Sequence, residues 1–386
     1  MHTAVTDISS ANTRTTAATS SLRVLIAAGG TGGHVYPGIA IADALQKTDE
    51  DVSLLFAGTR NRMEWNAVPR AGYEIQSLWI SGLQRRFSPA NLIFPVKLGV
   101  SLLQSFLLLK KFRPDVVVSC GGFASGPVGW VAARLGIPLI LQEQNSYPGV
   151  TTRLLARHAE RIFTAFEGAS EWLPKEKIRL TGNPIRSSFR KSTKEAGCKQ
   201  FGFLMEKPVV LILGGSGGAL SINQAIEQNL DTLHDKMDLQ LLWQCGPRYH
   251  EPLQRRIEPG RYPNLKLMSY IEEMPDAYAA ADLVVSRAGA ISCSELMLTG
   301  SPSILVPSPN VAGDHQSRNA ASMTEAGAAR LLSDNQVREQ LPEVIASLLK
   351  NPEQLQEMGK RAQGLSRPDA ASEIAKQIKQ IGSRQQ

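Results

Sequence analysis

The stretch "RVLIAAGGTGG" (residues 23–33) joins an apolar run to two glycine pairs, and "PVVLILGGSGG" (208–218) repeats this design in the second half. A second pair follows in the same order, because "DVVVSCGG" (115–122) is echoed by "DLVVSRAG" (282–289). Any doubly wound domain repeats a strand, a glycine turn and a helix, but two ordered echoes favour duplication of the whole unit. The predicted fold class is therefore α/β, with two facing doubly wound, Rossmann-like parallel-sheet domains and an interdomain cleft.

The alternating pattern is interrupted at "TGNPIR" (181–186), whose glycine and proline are typical of a connection between domains. The 386 residues suffice for two domains of ordinary size. The first 22 residues are rich in Ser, Thr and Ala, which predicts a flexible tail, with a transit peptide as the alternative. We expect a tail at 1–22, an N-terminal domain at 23–182, a C-terminal domain at 183–367, and a final helix at 368–386 that packs back on the N-terminal domain.

The composition is that of a soluble globular protein, with 42% hydrophobic and 20% charged residues. The cysteines are widely scattered and form no Cys-x-x-Cys pair: Cys120, Cys198, Cys245 and Cys293. This spacing argues against a disulfide framework or a zinc site and favours a reducing compartment.

The net charge of +7 is concentrated in residues 75–114, which hold no acidic residue and six basic ones: Arg85, Arg86, Lys97, Lys110, Lys111 and Arg113. Such a surface favours an anionic partner. Its core, "NLIFPVKLGVSLLQSFLLLKKF" (91–112), is apolar, but Lys97 and several polar residues interrupt it, so we reject a membrane span. Two alternatives remain open: an ordinary domain helix, or a surface that rests on anionic lipid.

The glycine loops do not match two common nucleotide-binding motifs. In a dinucleotide-binding Gly-x-Gly-x-x-Gly motif the third glycine would fall on Val35 or Leu220, and neither loop ends in Gly-Lys-Ser/Thr. Hydride transfer and nucleoside triphosphate hydrolysis are therefore disfavoured. Such loops still present backbone N–H groups to an anion. The segment "GAISCSE" (289–295) does the same, and Glu295, expected in the first helical turn, either grips two ribose hydroxyls or only caps the helix.

Seven motifs occur in the order of one enzyme family: "GGTGGHVYPG" (29–38), "GGFASGP" (121–127), "EQN" (143–145), "GNPIR" (182–186), "GGSGGA" (214–219), "SRAGAISCSE" (286–295) and "DHQSRNA" (314–320). From about residue 22 to the C-terminus the chain resembles the bacterial peptidoglycan N-acetylglucosaminyltransferases, which convert lipid I to lipid II. The resemblance implies a GT-B fold whose C-terminal domain binds most of UDP-N-acetylglucosamine.

The resemblance also implies site residues, with Glu295 on the ribose and the backbone near Ile271 reading uracil. The expected donor-binding residues are Thr31, Gly32, Gly33, Asn145, Arg186, Ser216, Ile271, Ala290, Ile291, Ser292, Cys293, Ser294, Glu295 and Gln316. The expected acceptor-binding residues are Gly29, Gly30, Gly121 and Gly122. Gly217 stands where the family usually has glutamine, so a contact made by that glutamine is missing here.

The reaction implied is attack by the C4 hydroxyl of the muramyl sugar on C1 of N-acetylglucosamine, with inversion and loss of UDP. His34 is the candidate general base, because the positive end of a helix that begins beside it favours the neutral imidazole. Glu143 is the second candidate, and a histidine that merely caps or packs at a helix start is the alternative role for His34.

No metal and no other cofactor is expected. The only Asp-x-Asp sequence, at 49–51, precedes a strand and so lies at the wrong end of the sheet. Arg186 and the helix start near Ala290 are expected to stabilise the leaving diphosphate instead.

The expected partners are UDP-N-acetylglucosamine, undecaprenyl-linked muramyl-pentapeptide (lipid I) and an anionic membrane surface, with no nucleic acid. The resemblance places the protein peripherally on the cytoplasmic face of the plasma membrane, with contacts through Arg85, Arg86, Lys110 and Lys111. A UDP-sugar epimerase of the same fold and a non-catalytic UDP-sugar-binding regulator are the competing functions.

Overall fold

A computed structural model describes residues 21–49, 51–82, 92–186, 189, 192–311 and 314–384. Arg85 and Arg86, predicted to contact the membrane, lie outside these residues. The described strands form two sheets in which every pairing is parallel. The prediction of two doubly wound parallel-sheet domains is confirmed.

The first sheet has seven strands: β1 (Arg23–Ala27), β2 (Ser53–Gly58), β3 (Ile75–Ser77), β4 (Val116–Ser119), β5 (Leu139–Glu143), β6 (Arg161–Thr164) and β7 (Ile178–Leu180). Their spatial order is β3-β2-β1-β4-β5-β6-β7. Strand β1 is central, since Ile26 pairs with Phe56 on one side and with Val118 on the other. The order therefore reverses between β1 and β4, and ligands of such sheets bind outside the carboxyl ends of strands at this point.

The second sheet has six strands: β8 (Val209–Leu213), β9 (Gln240–Gln244), β10 (Leu265–Met268), β11 (Leu283–Ser286), β12 (Ser303–Leu305) and β13 (Arg330–Leu331). Their order, β10-β9-β8-β11-β12-β13, reverses between β8 and β11. The glycine loops at 28–33 and 214–218 follow β1 and β8, so each begins at the reversal point of its sheet. The fold thus places the two loops at equivalent positions in the two domains.

The described helices cover the faces of both sheets: α1 (Gly32–Thr48), α2 (Glu64–Arg70), α3 (Phe94–Phe112), α4 (Ser125–Arg134), α5 (Val150–Leu155), α6 (Lys194–Phe201), α7 (Leu220–Gln228), α8 (Pro247–Arg256), α9 (Met274–Ala280), α10 (Ala290–Thr299), α11 (His315–Glu325), α12 (Val337–Leu349), α13 (Pro352–Gly364) and α14 (Ala370–Gly382). Because helices cover both faces, the central strands are buried throughout, which explains why β4 and β8 read as continuous runs of Val, Leu and Ile.

The last helix, α14, lies in the first domain although it follows the second domain in the sequence. Ile374, Ile378 and Ile381 pack in the same core cluster as Val24 and Ile41. Lys379 of α14 also forms an ion pair of 3.2 Å with Asp49, at the end of α1. The segment that leads out of the first domain and the segment that returns to it lie side by side. A β-carbon on Gly182, in the first segment, would stand 2.6 Å from that of Arg367, in the second.

Helix α3 is unusual in what it buries. Its buried side chains are Ser101, Ser105 and Leu109, and the two serine hydroxyls donate to carbonyls one turn earlier in the helix. Several of its larger side chains face solvent, with Leu103 and Leu107 60% and 57% exposed, while Leu98, Leu102 and Leu108 pack partly buried against the core of the first domain. Among the described residues, no helix combines the length and the hydropathy that a membrane crossing requires.

Candidate functional site

His34 lies in the first turn of α1, directly after the glycine loop of the first domain. Its backbone N–H donates to the carbonyl of Thr31 at 3.0 Å, and its Nδ1 lies 3.2 Å from the Thr31 hydroxyl. Burial lowers the pKa of the His34 imidazole below its ordinary value. The charge of Glu143, the backbone of Gly29 and the charge of Glu64 raise this pKa, while His315 lowers it. Burial dominates, so His34 is neutral at neutral pH and able to accept a proton.

The four glycines predicted to bind the acceptor lie in two loops that approach each other closely. A β-carbon on Gly122 would stand 2.0 Å from the carbonyl oxygen of Gly29, and one on Gly121 would stand 2.6 Å from Cδ2 of His34. The N–H of Gly30 donates to Glu64 at 3.0 Å, so this N–H is not free to bind an anion. Close approach of the loops explains Gly121 and Gly122 without reference to a ligand.

Glu143 ends β5 and is 2% exposed. One carboxylate oxygen accepts from the N–H of Asn145 at 3.1 Å and from its side-chain amide at 3.3 Å, while the other accepts from the N–H of Gly149 at 3.0 Å. Both oxygens therefore stabilise the turn that follows the strand. This makes Glu143 a weaker candidate base than His34.

A cavity between the two domains collects residues from both glycine loops. Its lining includes seven of the predicted donor-binding residues: Gly32, Gly33, Arg186, Ser216, Ile291, Ser292 and Glu295. A β-carbon on Gly217 would have no neighbour within 4 Å, so the glutamine usual in the family would have had room here.

The remaining predicted donor residues lie outside this lining: Thr31, Asn145, Ile271, Ala290, Cys293, Ser294 and Gln316. Several are engaged elsewhere. Cys293 is fully buried in the core of the second domain. The N–H of Ile271 donates to Gln244 at 2.8 Å, and the amide oxygen of Gln316 accepts from the N–H of Ser308 at 2.8 Å.

Glu295 is the sixth residue of α10, in its second turn rather than in the first as the sequence suggested. The helix begins at Ala290, immediately after Gly289, which puts Glu295 five residues beyond its first position. Glu295 therefore does not cap the helix, and it accepts a hydrogen bond of 3.0 Å from the hydroxyl of Tyr278. Burial raises the pKa of Glu295 to about 7, although the Tyr278 hydrogen bond and the charge of Arg186 oppose the rise.

Two tyrosines that are not among the predicted site residues connect the domains across the cavity. The hydroxyls of Tyr36 and Tyr270 lie 2.8 Å apart, and the Arg186 guanidinium stacks 5.0 Å above the Tyr36 ring. Tyr36 stands two residues after His34, and Tyr270 directly precedes Ile271. Their proximity to predicted site residues was the signal in the sequence, but their pairing across 234 positions was not visible there.

A buried polar network joins the two domains at the rear of the cleft. Asn183 accepts from the amide of Gln142 at 3.0 Å and donates to the Ser294 hydroxyl at 3.0 Å. Ser146 of the first domain donates to Asn319 of the second at 3.0 Å. Because these buried groups satisfy one another, they fix the end of β5 against the start of α10.

The described residues contain no group of three or more His, Cys, Asp or Glu side chains able to hold a metal ion. Asp49 ends α1 just before β2, and so lies at the amino ends of the strands, opposite the cleft.

Comparison with known proteins identifies both domains. The model of the glycosyltransferase family 28 N-terminal domain matches residues 24–164, and that of the family 28 C-terminal domain matches residues 209–374. A UDP-N-acetylglucosamine--N-acetylmuramyl-(pentapeptide) pyrophosphoryl-undecaprenol N-acetylglucosamine transferase from Salinibacter ruber is 44% identical over 361 residues, covering 94% of this chain and 97% of that protein. The protein of the same name from Porphyromonas gingivalis is 44% identical over 369 residues, covering 93% and 96%.

Solved structures with the same fold include two kinds of enzyme. The crystal structure of Acinetobacter baumannii MurG matches with a TM-score of 0.70 and 25% identity, covering 93% of this chain and 99% of that one. A UDP-GlcNAc 2-epimerase from Neisseria meningitidis bound to UDP-GlcNAc matches with a TM-score of 0.66 over 93% and 100% of the two chains, but at 17% identity. The second likeness concerns the fold alone.

Proposed function

The chain belongs to the family of UDP-N-acetylglucosamine--N-acetylmuramyl-(pentapeptide) pyrophosphoryl-undecaprenol N-acetylglucosamine transferases, and on that premise we propose how its cleft performs the transfer. It is an N-acetylglucosaminyltransferase that converts lipid I to lipid II in peptidoglycan synthesis. The predicted enzyme class and reaction are confirmed. The roles of individual residues below are our proposal.

His34 is the general base. The C4 hydroxyl oxygen of the muramyl sugar forms the new bond to C1 of N-acetylglucosamine, its proton passes to the His34 imidazole, and the bond from C1 to the diphosphate breaks with inversion. The lowered pKa of His34 supports this role, because an imidazole that is neutral before the reaction can take the proton. The main support for His34 as the base is its position beside the cavity between the domains. Gly32 and Gly33, in the same helical turn as His34, line this cavity together with Arg186 and Glu295.

The leaving diphosphate is stabilised from the second domain. Ile291 and Ser292 line the cavity in the first turn of α10, where backbone N–H groups lack intrahelical acceptors and carry the positive end of the helix dipole. Arg186 adds a full positive charge on the same side. Both act on the negative charge that UDP gains as it leaves.

Glu295 binds the donor ribose through its carboxylate, and the Tyr278 hydroxyl orients that carboxylate. A half-buried carboxylate beside a cavity can accept hydrogen bonds from two adjacent hydroxyls. Its raised pKa agrees with a group held away from water until a ligand supplies the hydrogen bonds.

The first domain docks on the anionic membrane that carries lipid I. Helix α3 supports this, because it buries Ser101 and Ser105 while Leu103, Phe106 and Leu107 stay exposed. Lys110 and Lys111 are exposed in the last turn of the same helix. Apolar side chains beside basic ones suit a helix that lies in the interface of an anionic bilayer. The cytoplasmic leaflet is the surface we propose.

Transfer of label tests the whole assignment. Purified protein with radiolabelled UDP-N-acetylglucosamine and membranes that carry lipid I should yield labelled lipid, and membranes without lipid I should not. An epimerase would convert the donor without membranes, and a regulator would bind it without turnover. Either result would refute the transferase assignment.

A further inference from the structure

Glu64, the first residue of α2, is a fully buried carboxylate to which the proposed mechanism gives no role. Its Oε1 accepts from the N–H of Thr59 at 3.0 Å and from the Thr59 hydroxyl at 2.5 Å, while its Oε2 accepts from the N–H of Gly30 at 3.0 Å. Among the described residues, no Lys or Arg forms an ion pair with it. A buried charge is costly unless donors surround it, so these three donors are what keep this carboxylate in place.

The surrounding glycines show that the backbone is shaped to hold this side chain. A β-carbon on Gly58 would stand 2.7 Å from Cγ of Glu64, and one on Gly29 would stand 2.8 Å from its Oε1. The end of β2 and the start of the glycine loop therefore enclose the carboxylate from two sides. The close approach explains Gly29 in terms of a protein side chain rather than a substrate.

The chain of contacts continues from Glu64 to His34. Glu64 holds Gly30, the next residue is Thr31, and Thr31 contacts His34 through both its carbonyl and its hydroxyl. Glu64 is also one of the charged or titratable groups that act on the His34 ring, with Glu143 at the end of β5 and His315 at the start of α11.

We propose that Glu64 is a positioning residue that fixes the Gly30–Thr31 backbone and thereby orients His34. This inference rests on the proposed function only where it concerns catalysis. The placement of His34 by Glu64 is a property of the protein without substrates, and it can be measured without turnover.

Glu64→Gln in the full-length protein is the decisive variant, because it keeps the size and removes the charge. The amide presents a donor where the carboxylate had only acceptors, so one contact with Gly30 or Thr59 is lost. We expect kcat to fall by about 10- to 100-fold, as for a small misplacement of a reacting group, with the donor KM within a few-fold of wild type. Loss of a negative charge disfavours the imidazolium, so the titration of the His34 ring, followed by NMR, should move to lower pH.

Asp115→Asn is the matched control. The Asp115 carboxylate accepts a 2.8 Å hydrogen bond from the N–H of Arg23, at the opposite end of the same strand β1. Its loss should lower stability without moving the His34 titration. Thr59→Val provides a second variant should Glu64→Gln not fold. It removes only the hydroxyl donor, and we expect a smaller loss of kcat together with a displaced His34 ring signal.

The outcomes separate this inference from the proposed function. The pH dependence of kcat is measured beside the NMR titration of His34. If the titration and the acid limb of the kcat profile both move to lower pH in Glu64→Gln, the role of Glu64 and the general-base role of His34 are both supported. If the titration moves but the acid limb does not, Glu64 positions His34 and the general-base role of His34 fails. If the titration stays at its wild-type position in Glu64→Gln, or Thr59→Val has wild-type kcat and His34 signals, the role of Glu64 is refuted and that of His34 is untouched.

Discussion

The imidazole of His34 lies against the backbone of Gly121, so closely that a β-carbon on Gly121 would stand 2.6 Å from Cδ2 and 3.1 Å from Nε2. Gly121 also has a φ of +93°, a conformation that glycine adopts readily and other residues rarely do. The loop after β4 therefore packs against the His34 ring through Gly121 and limits the positions that the ring can adopt.

Gly121→Ala should displace the His34 ring and lower kcat by about 100-fold, the usual cost of a misplaced catalytic group. Donor affinity, measured by calorimetry, should stay within a few-fold. Gly72→Ala is the control, since Gly72 has a similar φ of +88° but no atom within 4 Å of its β-carbon position. Equal losses of kcat in the two variants would show that backbone strain, not contact with His34, matters.

His34→Ala should lower kcat by about 10²- to 10⁴-fold, the range expected for loss of a general base. Binding of UDP-N-acetylglucosamine should change only a few-fold. The exposed His158 provides the control, and His158→Ala should be fully active. Near-normal turnover of His34→Ala would return His34 to a packing role and direct attention to Glu143.

Donor affinity should fall as the pH drops below about 7, because the ribose hydroxyls donate to the ionised form of Glu295. Below that pKa the ionised fraction of Glu295 falls about tenfold per pH unit, so donor affinity can fall by at most about tenfold per pH unit through this group. Glu295→Gln should bind the donor more weakly by about 1.5–3 kcal/mol at high pH, the worth of hydrogen bonds to a charged group, and should lose the pH dependence. Calorimetric titrations at several pH values measure both effects.

Stability of the unliganded protein gives an independent check on Glu295. Its pKa in the folded protein is raised above the ordinary value of 4.5, so the contribution of this group to stability is complete below pH 4.5 and is lost as the pH rises through about 7. Glu295→Gln should therefore have a higher Tm than wild type at pH 8 and no advantage at pH 5. Equal donor affinity of the two proteins at every pH would contradict the ribose contact.

The protein should bind vesicles that contain anionic lipid, with release at high salt, and should bind neutral vesicles far less. Each basic residue near such a surface contributes about 1 kcal/mol at low salt. Charge reversal of four residues should reduce sedimentation with vesicles: Arg85, Arg86, Lys110 and Lys111, each to Glu. Leu103→Ser together with Leu107→Ser should also weaken binding, because their exposed side chains would enter the interface.

The control reverses four exposed lysines of the second domain: Lys199, Lys236, Lys350 and Lys360, each to Glu. This variant carries the same change in net charge and should bind vesicles like the wild type. Vesicle binding that does not depend on lipid charge, or that weakens equally in the two variants, would refute the proposal that α3 docks on the membrane.

Transfer should continue in the presence of EDTA, since Arg186 and the first turn of α10 supply the positive charge that faces the diphosphate. The assay uses purified enzyme and donor with a chelator in excess. Complete loss of activity, restored by adding back a divalent ion, would show that these groups do not suffice.

The sheets and their loops were predictable because they depend on local pattern. A buried parallel strand reads as a continuous apolar run, and a loop that turns sharply at a sheet's reversal point reads as glycine. The same reasoning found the neighbourhood of His34 and of Glu295. The turn assigned to Glu295 was wrong, because a helix that begins at Ala290 completes its first turn of about 3.6 residues before it reaches Glu295.

The partners of these residues were not predictable, because they come from distant positions. Glu64 lies 34 residues after the Gly30 N–H that it accepts from, in a segment with no recognisable motif. Tyr278 and Glu295 belong to different helices, and Tyr36 meets Tyr270 only when the two domains face each other. Such contacts follow from tertiary packing, which no periodicity in a single chain encodes.

Helix α14 has a consequence for how the protein is made. Domains generally fold in order as the chain leaves the ribosome. Here the isoleucines at 374, 378 and 381 complete the core around Val24 and Ile41, so the domain translated first acquires this buried helix only after the whole second domain has been translated. Until then the apolar surface that α14 covers on the first domain remains open. A chain that stops before Ala370 would thus contain an intact second domain joined to an unfinished first one.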